Sequence, residues 1–212
     1  MAPAHNTLSD RRADDAMRRP GEPPFAPAAL LLAEVERLKA ELADAKCRIA
    51  ELEARADIDP LLDILNRRGF ERELGRALAY LQRYQGEAAL LFIDLDGFKA
   101  VNDRHGHAAG DAMLKAVGGA LIGHVRASDV VARLGGDEFG VLLWNLDPAQ
   151  ALRKARDLEA LIGAVEPGGY ETGLRIGASI GVAPLAAGST PEEIIHAADR
   201  AMYARKAERR PA

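Results

Sequence analysis

Two short stretches carry residue types that can do chemistry together. Ile93-Asp94-Leu95-Asp96-Gly97-Phe98-Lys99 delivers two carboxylates and a lysine at the end of an apolar run. Further on, Arg133-Leu134-Gly135-Gly136-Asp137-Glu138-Phe139 sets two more carboxylates beside a pair of glycines. Carboxylates gathered in one place repel unless a cation joins them, so convergence of the two stretches would make a site for a hard divalent metal. Glycines next to such a site let a phosphate come close to the backbone. Taken singly, Asp94 or Asp96 reads as a solvated turn residue; the chemistry lies in the combination. An EF-hand reading of Asp94-Leu95-Asp96-Gly97 fails, because the remaining ligands are not at the required spacing. The chain has neither a Walker phosphate loop nor a Rossmann glycine fingerprint. His105 and His107 have a weak spacing for a metal pair, and loop histidines are usually not ligands.

The elements that must hold these residues are legible from their patterns. Asn66 can cap a helix running to about Tyr84. Ala88 to Ile93 is a short continuous apolar run, the mark of a buried strand. A helix follows with Leu114, Val117 and Leu121 on one face. Val130–Leu134 and Phe139–Trp144 read as a hairpin whose tip is Gly135-Gly136-Asp137-Glu138. Another helix fills about 148–163, and Leu174 to Val182 alternates as a strand with one buried face. Thr190-Pro191-Glu192-Glu193 opens the last helix as a capping box with Pro in its first turn. The order is helix, βαββαβ, helix: an α+β, ferredoxin-like plan with a central antiparallel sheet and flanking helices.

Composition bounds what surrounds this domain. The 212 residues have room for one full domain and an appendage. With 28 Lys+Arg against 32 Asp+Glu, the net charge of −4 argues against a dedicated nucleic-acid binder, which needs a basic surface. Cys47 is the only cysteine, so no intrachain disulfide can form, and a cytoplasmic location is expected. Met1 to Pro20 lacks the apolar core of a signal peptide, and no apolar run approaches the roughly 18 residues of a membrane span.

Residues 1–27 mix Arg, Asp, Ala and Pro without periodicity and read as a disordered tail. Residues 28–56 carry apolar residues at Leu31, Val35, Leu38, Leu42, Ala45, Ile49, Leu52 and Ala56, an unbroken heptad seam. β-Branched residues at two of the a positions, with Leu at most d positions, favour a parallel two-stranded coil. The expected partner-helix pairs Glu34–Lys39, Glu41–Lys46 and Arg48–Glu53 are opposite in sign all three times. Such exposed pairs set register and orientation more than stability. The competing reading is an amphipathic helix folded onto its own domain, which has no need of matched flanking charges. Residues 57–212 form the remaining domain.

That domain resembles the GGDEF family, the bacterial diguanylate cyclases. The likeness rests on Arg133-Leu134-Gly135-Gly136-Asp137-Glu138-Phe139 and on further blocks in the same order. These are Phe92 to Lys99, Asn102-Asp103-Arg104-His105-Gly106-His107 running to Gly110-Asp111, Ser179-Ile180-Gly181-Val182-Ala183, and Ala198-Asp199-Arg200-Ala201-Met202-Tyr203. The resemblance implies a nucleotide-cyclase-type fold that joins two GTP into cyclic di-GMP and releases two pyrophosphates. It implies two Mg²⁺ or Mn²⁺ ions held by Asp94, Asp137 and the Leu95 carbonyl, with Glu138 beside them. The proton acceptor is left open between Glu138, Asp137 and a metal-bound hydroxide. Lys99, Lys206 and Arg210 match triphosphate contacts, joined by the amides of Gly97 and Phe98 and by the open backbone at Gly135 and Gly136. Asn102 and Asp111 match guanine readers. A carboxylate can accept from both N1–H and the exocyclic amine of guanine, so Asp111 is expected to favour GTP over ATP by a large margin, because a buried carboxylate would be left unpaired with adenine. As a purely structural residue, Asp111 would be a helix N-terminal carboxylate favoured by the dipole.

Cyclic di-GMP is two-fold symmetric and one such domain holds one GTP, so a homodimer through residues 31–56 is expected, with a regulatory protein acting on the coil or tail. Arg126-Ala127-Ser128-Asp129 stands at the place of the family's RxxD product-inhibition motif, with Arg153 or Arg156 as the secondary arginine. The turn Asp59-Pro60-Leu61-Leu62-Asp63 lacks the Thr and Gly of the family's Asp-x-Leu-Thr-Gly, though Asp59 retains Arg133 as a candidate partner. Arg209 stands where the family usually has Gly, and the usual final strand is missing. Two other readings compete: a catalytically silent cyclic di-GMP receptor that signals through its coil, and a plain coiled-coil adaptor.

Overall fold

The computed structural model describes residues 26–168 and 174–209, with the side chains of 26–29, 47, 49–56 and 208–209 left out. Most of the expected tail, Arg210, Cys47 and the seam side chains at Ile49, Leu52 and Ala56 therefore lie outside the described residues. The chain divides into two units, Met1–Glu51 and Leu52–Ala212.

The first unit holds most of a helix, α1 (Ala26–Ala56). Its seam residues Leu31, Val35, Leu38 and Leu42 are 67%, 44%, 50% and 55% exposed, so a single chain leaves them in water. Charges on α1 also pair along the helix: Arg37 holds both Glu34 and Glu41, Lys39 holds Glu36, and Arg48 holds Asp44. Glu34, Glu41, Lys39 and Arg48 thus already have partners on their own helix. Among the described residues, no helix is long and apolar enough to cross a membrane.

The second unit runs β1 (Leu65–Asn66), α2 (Arg67–Tyr84), β2 (Ala88–Asp96), α3 (Phe98–His105), α4 (His107–Gly123), β3 (Val130–Arg133), β4 (Glu138–Trp144), α5 (Pro148–Gly163), β5 (Gly177–Pro184) and α6 (Pro191–Arg209). The sheet order is β1-β3-β4-β2-β5. β2 lies antiparallel between β4 and β5, which is the expected βαββαβ plan. The sheet is mixed rather than wholly antiparallel, because β1 adds a parallel edge beside β3. Only two residues can pair there, since the chain turns straight into α2, where Asn66 Oδ1 accepts the Gly69 amide at 3.0 Å.

Both faces of the sheet are covered, and side chains alternate between two cores. Leu91, Ile93, Val141, Leu143 and Ile180 pack with Met113 and Val117 of α4 and Leu158 and Ile162 of α5. Leu90, Phe92, Leu142 and Ala183 pack with Phe70 and Leu74 of α2 and Ile194 and Met202 of α6. Each fully buried side chain of this kind contributes about 1.5–3 kcal/mol. Two expectations for β5 are corrected. It begins at Gly177 rather than Leu174, because its partner β2 ends at Asp96, opposite Gly177. Its residues are buried on both faces rather than one, because α5 and α6 sandwich it.

Candidate active site

The register of the two central strands brings the predicted carboxylates together. Asp94 of β2 stands opposite Glu138 of β4, and the Leu95 amide donates to the Asp137 carbonyl at 3.1 Å. The hairpin tip is closed by the Leu134 amide on the Glu138 carbonyl at 2.8 Å. A Cβ on Gly135 would sit 2.6 Å from Glu138 Oε2, so any other residue there would push that carboxylate aside. Above Gly136 the space is open.

Two arginines fix the hairpin from outside. Arg133 Nη2 donates to the Gly136 carbonyl at 2.8 Å, its Nε reaches the Gly135 carbonyl at 3.1 Å, and its Nη1 meets Asp59 Oδ2 at 3.2 Å. Asp59 in turn accepts the Leu61 and Leu62 amides, both at 3.0 Å. The altered turn therefore keeps its carboxylate contact, and Asp63 takes the left-handed φ of 55° that suits glycine better. Arg67, from the first turn of α2, donates to the Leu134 carbonyl at 2.8 Å and to Glu138 Oε2 at 3.2 Å.

Lys206, in the last turn of α6, is hydrogen-bonded to Asp94 Oδ1 and lies 3.7 Å from Asp96 Oδ1. The buried Ser179 hydroxyl of β5 reaches both Asp96 oxygens, at 3.0 and 3.1 Å. Beyond β2, Gly97 adopts φ 81° and caps α3 with no side-chain cap bond; the N-terminus of a helix favours an anion. Phe98 is buried and anchors that turn, while Lys99 is exposed beside it. Asn102 lies against α4 at Gly110, where any Cβ would collide with its Oδ1. Gly110 is the chain neighbour of Asp111.

Charge is frustrated in this cluster. The Asp137 carboxyl is raised above its ordinary value by burial and by the Asp94 carboxylate. Glu138 is also raised, by burial first, with Asp137, Asp94 and Asp199 adding to it and Arg67 opposing. For Lys206, burial pulls downward, but the hydrogen bond and charge of Asp94, with Asp96 and Asp137, hold it above its usual value. Among the described residues, no three His, Cys, Asp or Glu side chains converge on a metal position. The fit is instead two mutually repelling carboxylates, Asp94 and Asp137, with hard oxygen donors on the adjacent backbone. That donor set suits Mg²⁺ or Mn²⁺.

Comparison with known proteins places this geometry. Residues 56–212 match the family described as diguanylate cyclase, GGDEF domain. The chain belongs to the GGDEF family. Diguanylate cyclase TpbB of Pseudomonas aeruginosa is 42% identical over 185 residues, covering 85% of this chain and 41% of TpbB. The chain thus spans about two fifths of that relative's length. The solved GGDEF domain of TpbB from Pseudomonas aeruginosa matches with a TM-score of 0.67 at 43% identity, over 72% of this chain and 90% of that one. The structure of diguanylate cyclase SiaD in complex with its activator SiaC, also from Pseudomonas aeruginosa, matches with a TM-score of 0.68 at 27% identity. It covers 88% of this chain and 72% of that one.

Within the GGDEF domain, two expectations about Asp111 need correction. Its side chain is exposed, so a strong penalty from an unpaired buried carboxylate does not operate in the free chain. It also lies beyond the first turn of α4, which holds no acidic residue, so the helix dipole contributes little. At the Arg126–Asp129 pair, both Asp129 oxygens already serve the fold. One accepts the Arg126 amide at 2.9 Å and the other the Trp144 amide at 3.1 Å. Arg126 and Asp129 line a cleft of about 570 Å³ with Asp63, Ile64, Ile122 and Val125. The sequence assigned no role to Arg67 or Ser179. Arg67 meets Glu138 across a separation of 71 residues, which no local pattern can reveal. Ser179 could have been found only by pairing β5 with β2.

Proposed function

We propose that this chain is a diguanylate cyclase that condenses two GTP into cyclic di-GMP. The reading is carried by the meeting of Asp94, Asp137 and Glu138 across β2 and β4, with Lys206 on the same carboxylates. Lys99, Lys206 and the amides of Gly97 and Phe98 hold the triphosphate, with Gly135 and Gly136 giving it room and Arg210 as a further expected contact. Asn102 and Asp111 orient the guanine. Asp94, Asp137 and the Leu95 carbonyl would hold two Mg²⁺ or Mn²⁺ ions; such cations neutralise phosphate charge and lower the pKa of bound oxygen. The 3′-hydroxyl of one nucleotide forms a bond to the α-phosphorus of the other, the bond to pyrophosphate breaks, and the hydroxyl proton passes to a carboxylate oxygen. Glu138 and Asp137 are the candidate acceptors, both raised by burial. Such chemistry depends on positioning and charge more than on covalent help.

Two half-sites must face each other, and the bare seam of α1 supports a parallel homodimer through residues 31–56. A coil of this kind raises the effective concentration of one domain near the other toward the millimolar range. A regulatory protein acting on coil or tail fits the same arrangement, and the substrate places the enzyme in the cytoplasm. Product inhibition is assigned to Arg126 and Asp129: Arg126→Ala should raise the rate at high product concentration, and unchanged inhibition counts against that assignment. The test of the activity is nucleotide analysis after incubating the product-stripped protein with GTP and Mg²⁺. Cyclic di-GMP that disappears in Asp137→Ala supports the cyclase. Cyclic di-GMP binding without turnover would instead make the chain a silent receptor. A chain lacking residues 1–56 that keeps the full rate at low protein concentration would sink the role of the coil.

A further inference from the structure

Lys206 lies in the last described turn of α6, Pro191–Arg209. The middle of that helix is pinned, because a Cβ on Gly181 of β5 would collide with the Ala198 carbonyl and the Met202 amide. One turn further on, another contact takes over. Arg205 Nη2 meets Glu159 Oε2 of α5 at 3.2 Å, with side chains 27% and 8% exposed. α5 and α6 pack on opposite faces of the sheet, and β5 is its edge strand. The ion pair therefore closes around the outside of β5.

Glu159 does a second thing there. Its Oε1 accepts the Ile180 amide of β5 at 3.2 Å. Ile180 is next to Ser179, which holds Asp96, and Arg205 is next to Lys206, which holds Asp94 and Asp96. One buried carboxylate thus grips the chain neighbours of Ser179 and Lys206, the two groups that contact Asp96. An edge strand and a helix end are the parts of a sheet domain most free to drift, and a charge-assisted bond in a mostly buried setting restrains both.

We infer that Glu159 and Arg205 are positioning residues for Lys206, fixing its ammonium over the carboxylates where the triphosphate binds. The inference rests on the proposed triphosphate role of Lys206. Neither residue touches nucleotide; they act by holding the last turn of α6 to β5.

The experiment is equilibrium binding of α,β-methylene GTP with Mg²⁺, which needs no turnover, alongside melting temperatures. Arg205→Met should weaken binding about five- to tenfold, the scale of one charge-assisted contact misplaced. Arg205→Lys should restore most of it. Glu159→Gln keeps an acceptor for the Ile180 amide while removing the charge, so it should weaken binding as Arg205→Met does with little change in melting. In a Lys206→Met background, Arg205→Met should have no further effect on binding. Arg205→Met binding within about twofold of the parent, or an equal loss with and without Lys206, overturns the inference in favour of a purely structural ion pair. A parent chain that fails to bind the analogue at all overturns the triphosphate reading itself, and the inference with it.

Discussion

Arg133 makes the clearest case for working a magnitude from this structure. Its guanidinium joins the hairpin carbonyls of Gly135 and Gly136 to the carboxylate of Asp59. Arg133 and Asp59 side chains are 17% and 14% exposed, so solvent screens the pair only in part. Arg133→Ala removes the bonds to the hairpin, but the Gly136 carbonyl is exposed and water can replace its donor, limiting that loss to about 1 kcal/mol. Asp59 loses its counter-charge but keeps two amide donors, so the pair contributes about 1–2 kcal/mol more. The total of about 2–3 kcal/mol corresponds to a melting temperature lower by about 4–12 °C for a domain of this size. Asp59→Asn retains an acceptor for the Leu61 and Leu62 amides and should cost about 1 kcal/mol. Calorimetry of the two single variants and the double variant then gives the coupling, expected near 1–2 kcal/mol. Cyclic di-GMP formation should fall more steeply than stability, because Asp137 follows directly on the two carbonyls that are released. Strict additivity of the two substitutions, or an Arg133→Ala melting temperature unchanged within error, would refute the reasoning.

The raised carboxyls make a prediction about pH. A carboxyl whose folded value exceeds its unfolded one contributes fully below the unfolded value, near 4, and loses that contribution as pH rises through the folded value. With Asp137 and Glu138 both raised, chiefly by burial, the metal-free chain should melt progressively lower over that window than Asp137→Asn does. Equal pH profiles for the two proteins would show that the Asp137 carboxyl is not raised. Gly110→Ala drives a methyl into Asn102 Oδ1 and should raise the KM for GTP about tenfold, with a stability loss of about 1–3 kcal/mol from overpacking. Steady-state kinetics with an unchanged KM would mean that Asn102 does not read the base. Asn66→Ala removes the acceptor for the Gly69 amide at the start of α2 and should cost about 1 kcal/mol, visible as a lower denaturant midpoint at constant m-value.

Much of this domain was legible because its signals are local. The apolar run at Ala88–Ile93 reads as a buried strand, and Asn66 and Thr190 announce their helices by side-chain caps that the structure shows at both. The Gly-Gly-Asp-Glu tip reads as a turn from its composition alone. What escaped depends on partners distant in sequence. β1 is two residues long and pairs with β3 some 67 residues away in sequence, Leu65 opposite Ala132. The start of β5 is set by where β2 ends, not by its own alternation.

The same division separates the groups proposed to react from those that aim them. Asp94, Asp137, Glu138 and Lys206 are recognisable as types at given positions, yet the bonds that aim this cluster come from residues remote in sequence. Glu138 is held by Arg67 across 71 residues, Asp96 by Ser179 across 83, and Arg205 by Glu159 across 46. These holding bonds sit at the rim of the sheet, at a hairpin tip, an edge strand and a helix end, where few core side chains contribute. Losing one removes a small part of the total stability, because both cores remain packed. It moves a charged group whose effect depends on ångström-scale placement, where a displacement of about 1 Å can cost a hundredfold in rate. Substitutions at Arg67, Arg133, Ser179 or Arg205 should therefore damage activity well before they damage the fold. Large-to-small changes at Phe70 or Phe139, in the two cores, should act in the opposite order.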